Sequence, residues 1–158
     1  MNLYNTNSRE LLDRAILCLR QGQNAQGFSL LSAMEENANP SAAFALALCY
    51  LRSGELSAAV PHLEHALRLI RALSPVPPNP AENTGTYIKL YRAQVEEVAY
   101  LKPMDADFCH LFPKDAERTV LLALIHVYGE MGMKEKARQF SAGLSGKIFE
   151  EYIKRLNA

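Results

Sequence analysis

The sequence is short of most features that announce a chemistry. It has no surplus of either charge: 17 Lys and Arg stand against 17 Asp and Glu. Dividing the chain does not expose one. Residues 1–74 carry six of each sign, 75–113 three basic and five acidic, and 114–158 eight basic and six acidic. A duplex-binding protein draws much of its affinity from phosphates neutralised by a basic face, so nucleic acid is not an expected partner. No run approaches the ~18 apolar residues that a membrane-spanning helix needs. The opening MNLYNTNSRE lacks the basic-then-apolar pattern of a secretory leader. Cys18, Cys49 and Cys109 are odd in number and form no C-x-x-C pair. That usage suits reduced thiols in a reducing compartment, so the cytoplasm is the expected location.

Recognisable catalytic patterns are scarce too. The eight glycines are scattered, and none forms G-x-G-x-x-G or G-x-x-x-x-G-K, so no phosphate-cradling loop is expected. His62 and His65 lie three apart with Glu64 between them. Zinc requires three or four ligands, and PHLEH matches no helical zinc-protease signature. Two surface histidines on an outer helix are the simpler expectation. Cys109 and His110 are adjacent, and neighbours on a helix diverge by about 100° rather than facing each other. Carboxylate–cation pairs at helical spacing, such as Glu10 and Arg14, are ordinary surface pairs. The expectation is therefore a protein that is not an enzyme, with no catalytic residue, no metal and no cofactor.

What the sequence has is helical periodicity almost throughout. Leu11, Leu12, Ala15, Ile16 and Leu19 form an apolar stripe, with Ser8 as the expected N-cap and Gly22 after its end. Residues 25–36 keep Phe28, Leu31 and Met34 on one side. Pro40 opens a third helix through Arg52, ended at Ser53-Gly54, and a fourth runs from Leu56 to Leu73. Residues 74–83 hold four prolines in ten positions and read as an extended connector. Beyond them the pattern predicts a helix over 84–101, a short helical turn between Asp105 and Phe112, helices over 114–130 and 133–144, and a last one over 148–156. One all-α domain accounts for the length.

An internal repeat organises these helices. Gly22 and Gly54 are 32 residues apart, as are Cys18 and Tyr50, and Gly27 and Ala59; Tyr128, Gly132 and Ala137 keep the spacing of Tyr50, Gly54 and Ala59. Each position has a physical role. The aromatic packs between paired helices, the glycine takes a conformation that a Cβ disfavours, and the alanine sits where the helices cross.

With these residues in view, SAAFALALCYLRSGELSAAVPHLEHAL resembles a tetratricopeptide-repeat (TPR) motif. It has Leu46-Ala47 where the family has Leu-Gly, then Tyr50, Gly54, Ala59, Leu63 and Ala66. A second match falls at Leu124, Tyr128, Gly132 and Ala137, with Ser141 and Leu144 following. A weaker first repeat carries Cys18 and Gly27 in the aromatic and small positions. The resemblance covers residues 8–73 and 118–144 and implies a right-handed stack of antiparallel helix pairs. The hairpins would lie at 8–37, 41–73, a divergent 84–112 and 114–144, with a capping helix at 147–157.

In such stacks the first helix of each pair lines a concave face that holds peptides. By register, the resemblance places Arg9, Leu12, Asp13, Ile16, Leu19 and Arg20 there from the first pair. It adds Ser41, Phe44, Ala45, Leu48, Leu51 and Arg52 from the second, and Thr119, Leu122, Ala123, His126 and Glu130 from the third. These positions are mostly apolar, unlike the carboxylate clamp of some relatives. An apolar groove of this length should not stay empty in water. Three occupants are expected alternatives: an amphipathic segment of a partner protein, a second copy in a homodimer, or the chain's own Tyr87–Leu101 helix. Equally, the same side chains would serve as the core of an ordinary helical bundle. The functional expectation is an interaction module or chaperone-like adaptor binding a polypeptide, with a homo-oligomeric scaffold as the alternative and an enzyme as the more remote one.

Overall fold

Three glycine turns set the architecture. In the computed structural model, which describes residues 3–34 (side chains from residue 7), 39–73 and 101–142, Gly22, Gly54 and Gly132 have φ of 76°, 82° and 76°. In each turn the residue after the glycine donates its N–H five residues back along the helix end: Gln23 to the Cys18 carbonyl at 2.8 Å, Glu55 to Tyr50 at 2.9 Å, and Met133 to Tyr128 at 2.8 Å. This double-back closure satisfies helix carbonyls that would otherwise lack partners, and it needs a left-handed residue at the turn. The 32-residue spacing read from the sequence is the spacing of this turn.

Regular structure among the described residues is all helical, with seven helices and no strand. They are α1 (Leu3–Arg20), α2 (Asn24–Ser32), α3 (Pro40–Arg52), α4 (Leu56–Ala72), α5 (Phe108–Leu111), α6 (Pro113–Glu130) and α7 (Lys134–Ser141). Pro40 and Pro113 each occupy a first helical position, where the missing N–H costs nothing. Asn39 caps α3 by accepting the Ser41 N–H at 2.9 Å. Two boundaries differ from expectation. Ser8 lies inside α1 and does not cap it, because residues 3–8 hold no Pro or Gly to stop the helix. On α1 the i,i+4 ion pair is Arg9–Asp13 at 3.5 Å, not Glu10–Arg14. The proline-rich connector, most of the 84–101 helix and the capping helix at 147–157 lie outside the described residues.

Helices pair as α1/α2, α3/α4 and α6/α7, with α1 and α2 against α3 and α4 against α6. A small residue follows each turn glycine by five positions. Gly27, Ala59 and Ala137 are all buried. A Cβ on Gly27 would sit 2.9 Å from Leu19 Cδ2, so the first hairpin is packed tighter than alanine permits without a shift. The aromatic repeat holds as well: Tyr50 stacks on His62 with ring centroids 5.1 Å apart, and Tyr128 stacks on Phe140 at 5.6 Å. In both cases the partner is twelve residues on, on the second helix of the pair.

The core has two clusters, and α3 serves both. Ala42, Ala45 and Cys49 pack with Leu12, Ala15, Ile16, Leu19 and Leu31. Ala43, Phe44, Ala47 and Leu48 pack toward α4 and α6, with Leu63, Val120 and Leu124. One further stretch also serves both. Within residues 103–111, Ala106 belongs to the first cluster, and Met104, Phe108 and Cys109 belong to the second.

Candidate functional site

The face expected to hold a ligand is already covered. Leu12, Ile16, Leu19, Phe44, Leu48 and Leu122 are 0–3% exposed, while Leu51 and His126 are half-buried. An open groove is therefore not what these residues form in this chain. The reason is the one that made an empty groove unattractive: apolar surface of this size is removed from water by the nearest apolar segment. For α1 and α3 a named part of that cover is the 103–111 stretch, which follows the 84–101 segment expected from the sequence.

This stretch is held as a bound peptide would be. Met104, Ala106 and Phe108 are buried anchors, and the alternate residues Asp105 and Asp107 turn outward. Arg9 grips Asp107 with both guanidinium arms, Nη1 to Oδ1 at 2.9 Å and Nη2 to Oδ2 at 2.7 Å. Arg20 Nη2 reaches Asp105 Oδ1 at 2.5 Å. Arg9 and Arg20 lie eleven residues apart, roughly 16 Å along α1, so the two long side chains converge on the short Asp-Ala-Asp from opposite ends. The backbone is captured as well. Ser41 Oγ donates to the Asp105 carbonyl at 2.8 Å, and Asn39 Nδ2 donates to the Ala106 carbonyl at 3.5 Å. The hydrogen bond to Asp107 outweighs slight desolvation and holds the Arg9 pKa above its ordinary value.

Arg52, the third cation placed on that face by register, does something else. Its Nη1 donates to the Leu19 carbonyl at 2.7 Å and to Asn24 Oδ1 at 2.8 Å. It thus ties the end of α1 and the start of α2 to the end of α3, a favourable place for a cation at a helix C-terminus.

The residues weighed for chemistry resolve into packing. Cys109 is fully buried with its Sγ 3.5 Å from Ser41 Oγ, and burial pushes its pKa up to about 11. A thiol in that state is protonated at neutral pH and is a poor nucleophile. Burial also raises Cys49 and lowers His62 and His126. His62 is half-buried against Tyr50 rather than on the surface. No group of three or more His, Cys, Asp or Glu among the described residues is placed to hold a metal. No helix among them is long and apolar enough to cross a membrane.

Two features went unread in the sequence. The alternation Met104-Asp105-Ala106-Asp107-Phe108 is itself a signal of an extended segment with one apolar side, but it is too short to stand out from a helical turn. Phe28, expected on the apolar side of α2 with Leu31 and Met34, is 39% exposed. It meets Tyr50 edge-on at 5.7 Å. The chain matches no family model, no curated protein and no solved structure.

Proposed function

We propose that this chain is a divergent TPR-like stack of helical hairpins, working in the cytoplasm as a non-enzymatic interaction module or chaperone-like adaptor. Its ligand is a polypeptide segment with buried apolar anchors and outward acidic residues. The three equivalent turns at Gly22, Gly54 and Gly132 support the TPR-like stack. The single observation that carries the function is the way α1 and α3 grip residues 103–109. Arg9 and Arg20 take the acidic side chains, while Ser41 and Asn39 take backbone carbonyls that any polypeptide would offer. In the isolated chain that segment is its own. A partner segment of the same chemistry exchanges with it, and a tethered competitor sets the affinity the partner must exceed.

The test is fluorescence anisotropy with a labelled peptide, LKPMDADFCHLF, matching residues 101–112. Asp105→Ala/Asp107→Ala in the protein weakens the internal competitor by two exposed ion pairs, each worth ~0.2–1 kcal/mol. Binding of the peptide should then tighten by roughly two- to thirtyfold over the unmodified chain. Adding Arg9→Glu and Arg20→Glu should abolish it. If the peptide binds neither form while circular dichroism shows both folded, the face is permanent core and the chain is a self-contained scaffold.

A further inference from the structure

Beside the covered face, the edge where the first two glycine turns meet carries an open pocket of about 420 Å³. Ala25 and Phe28 from α2, Cys49, Tyr50 and Arg52 from α3, and Glu55 in the turn are among its walls. Its floor is apolar and its aromatic rings are held in place. Tyr50 is sandwiched between the edge contact with Phe28 and the parallel stack on His62, whose planes differ by 7°. Phe28 remains 39% exposed, one of few large apolar side chains left in water among the described residues. The volume suits one large side chain or a small molecule.

Two exposed charges of opposite sign stand at its border. Arg52 is fixed through Nη1, while its Nε and Nη2 have no partner among the described residues. No carboxylate lies within ion-pair distance of Arg52, and no cation lies within that distance of Glu55, among the same residues. The two opposite charges border one pocket and do not meet each other. A ligand with both signs, separated by an apolar group, would satisfy both and cover Phe28.

We infer that this pocket docks an apolar side chain, an aromatic one best, from a partner polypeptide in which a carboxylate flanks the anchor on one side and a cation on the other. The ring enters against Phe28 and Tyr50, where edge and offset contacts between aromatics add to the apolar burial. The carboxylate meets Arg52, whose planar fork accepts it with two donors. The cation meets Glu55. This rests on the reading of the chain as a polypeptide-binding module, but it uses residues that the 103–111 stretch does not engage.

The probes are acetyl-Asp-Phe-Lys-amide and acetyl-Lys-Phe-Asp-amide, titrated into the ¹⁵N-labelled full chain with amide shifts followed by NMR. One of the two orders should move the amides of residues 25–28 and 49–55 and leave those of 103–109 in place. Acetyl-Lys-Phe-Lys-amide should bind about fivefold more weakly, the factor that corresponds to roughly 1 kcal/mol of charge pairing. Phe28→Ala, at an exposed position, should abolish the shifts with the fold intact. Glu55→Lys should reverse the preference toward acetyl-Asp-Phe-Asp-amide. Arg52 is left unaltered because it also joins the hairpins. Equal affinity for all charge patterns, shifts centred elsewhere, or no shift up to the solubility limit of the peptide would each overturn the inference. So would the same shifts on concentrating the protein alone, which would assign the pocket to a second copy. Asp105→Ala/Asp107→Ala should leave this titration unchanged, so it and the labelled-peptide experiment fail separately.

Discussion

Arg9 and Asp107 form a two-armed ion pair across 98 residues of chain, with both partners about half exposed. Exposure limits what such a pair contributes, and bidentate geometry favours it. A double-mutant cycle with Arg9→Ala and Asp107→Ala, read by urea unfolding, should give a coupling of ~0.5–1 kcal/mol. High salt should shrink that coupling, since screening acts fully on exposed charges. A coupling near zero would mean the pair orients the 103–111 stretch without stabilising it.

Gly54 tests the turn. Its φ is 82° and a Cβ there would meet nothing within 4 Å. Any cost of substitution is therefore conformational and not steric crowding by neighbours. Gly54→Val should destabilise by over ~1 kcal/mol, and Gly54→Asn by less, because Asn tolerates the left-handed region. Equal melting temperatures for both variants and the parent would contradict the turn geometry.

Ala59 tests the helix crossing. It is fully buried, so Ala59→Leu should cost ~1–3 kcal/mol through overpacking. Gly27→Ala is the finer case. Helix propensity favours the change by up to ~1 kcal/mol, but the new Cβ lands 2.9 Å from a Leu19 side chain that is itself 1% exposed. Net destabilisation is the expected sign, measured by the shift of the denaturant midpoint.

Phe44→Ala separates core from ligand contact. With Phe44 at 0% exposure, the loss should appear in folding stability, at about 3–5 kcal/mol, before any effect on binding can be read.

Much of this fold was legible because it is local. Turn glycines, small crossing residues and apolar stripes repeat at fixed spacing, and the helices they predict are present where described. The covering of the face was not legible, because it depends on which apolar stretch reaches it first. Leu12, Phe44 and Leu48 have one pattern whether the surface over them is a partner or the chain itself. Arg9 and Arg20 were readable as cations on that face, but nothing in spacing tied them to acids some 90 residues away. Phe28 was misplaced for a related reason. It shares the α2 stripe with Leu31, but its ring lies against Tyr50 at an open pocket, which helical spacing does not reveal.

His62 and His126 make acid the weak side of the stability profile. Burial lowers both below the ordinary 6.5, aided at His62 by His65 and opposed at His126 by Glu130. The folded state then binds fewer protons than the unfolded chain in the window below that value. Stability is fully present above pH ~6.5 and falls as the pH drops through the folded values. The melting temperature should decline from pH 7.5 to 5.5, and His62→Phe, mirroring Phe140 against Tyr128, should flatten part of that decline.

A stack in which each hairpin mainly touches the next can fray from an end, one unit at a time. The 103–111 stretch works against this, since it joins α1 and α3 to the cluster around α6. Opening the first hairpin means releasing Asp105 and Asp107 and exposing Ala106, so this hairpin is coupled to the cluster around α6. Unfolding should therefore be a single cooperative transition by all probes, and hydrogen exchange in α1 should approach that of α6 instead of trailing it. The contacts of Arg9 with Asp107 and of Arg20 with Asp105 span 98 and 85 residues of chain, so they should form late in folding.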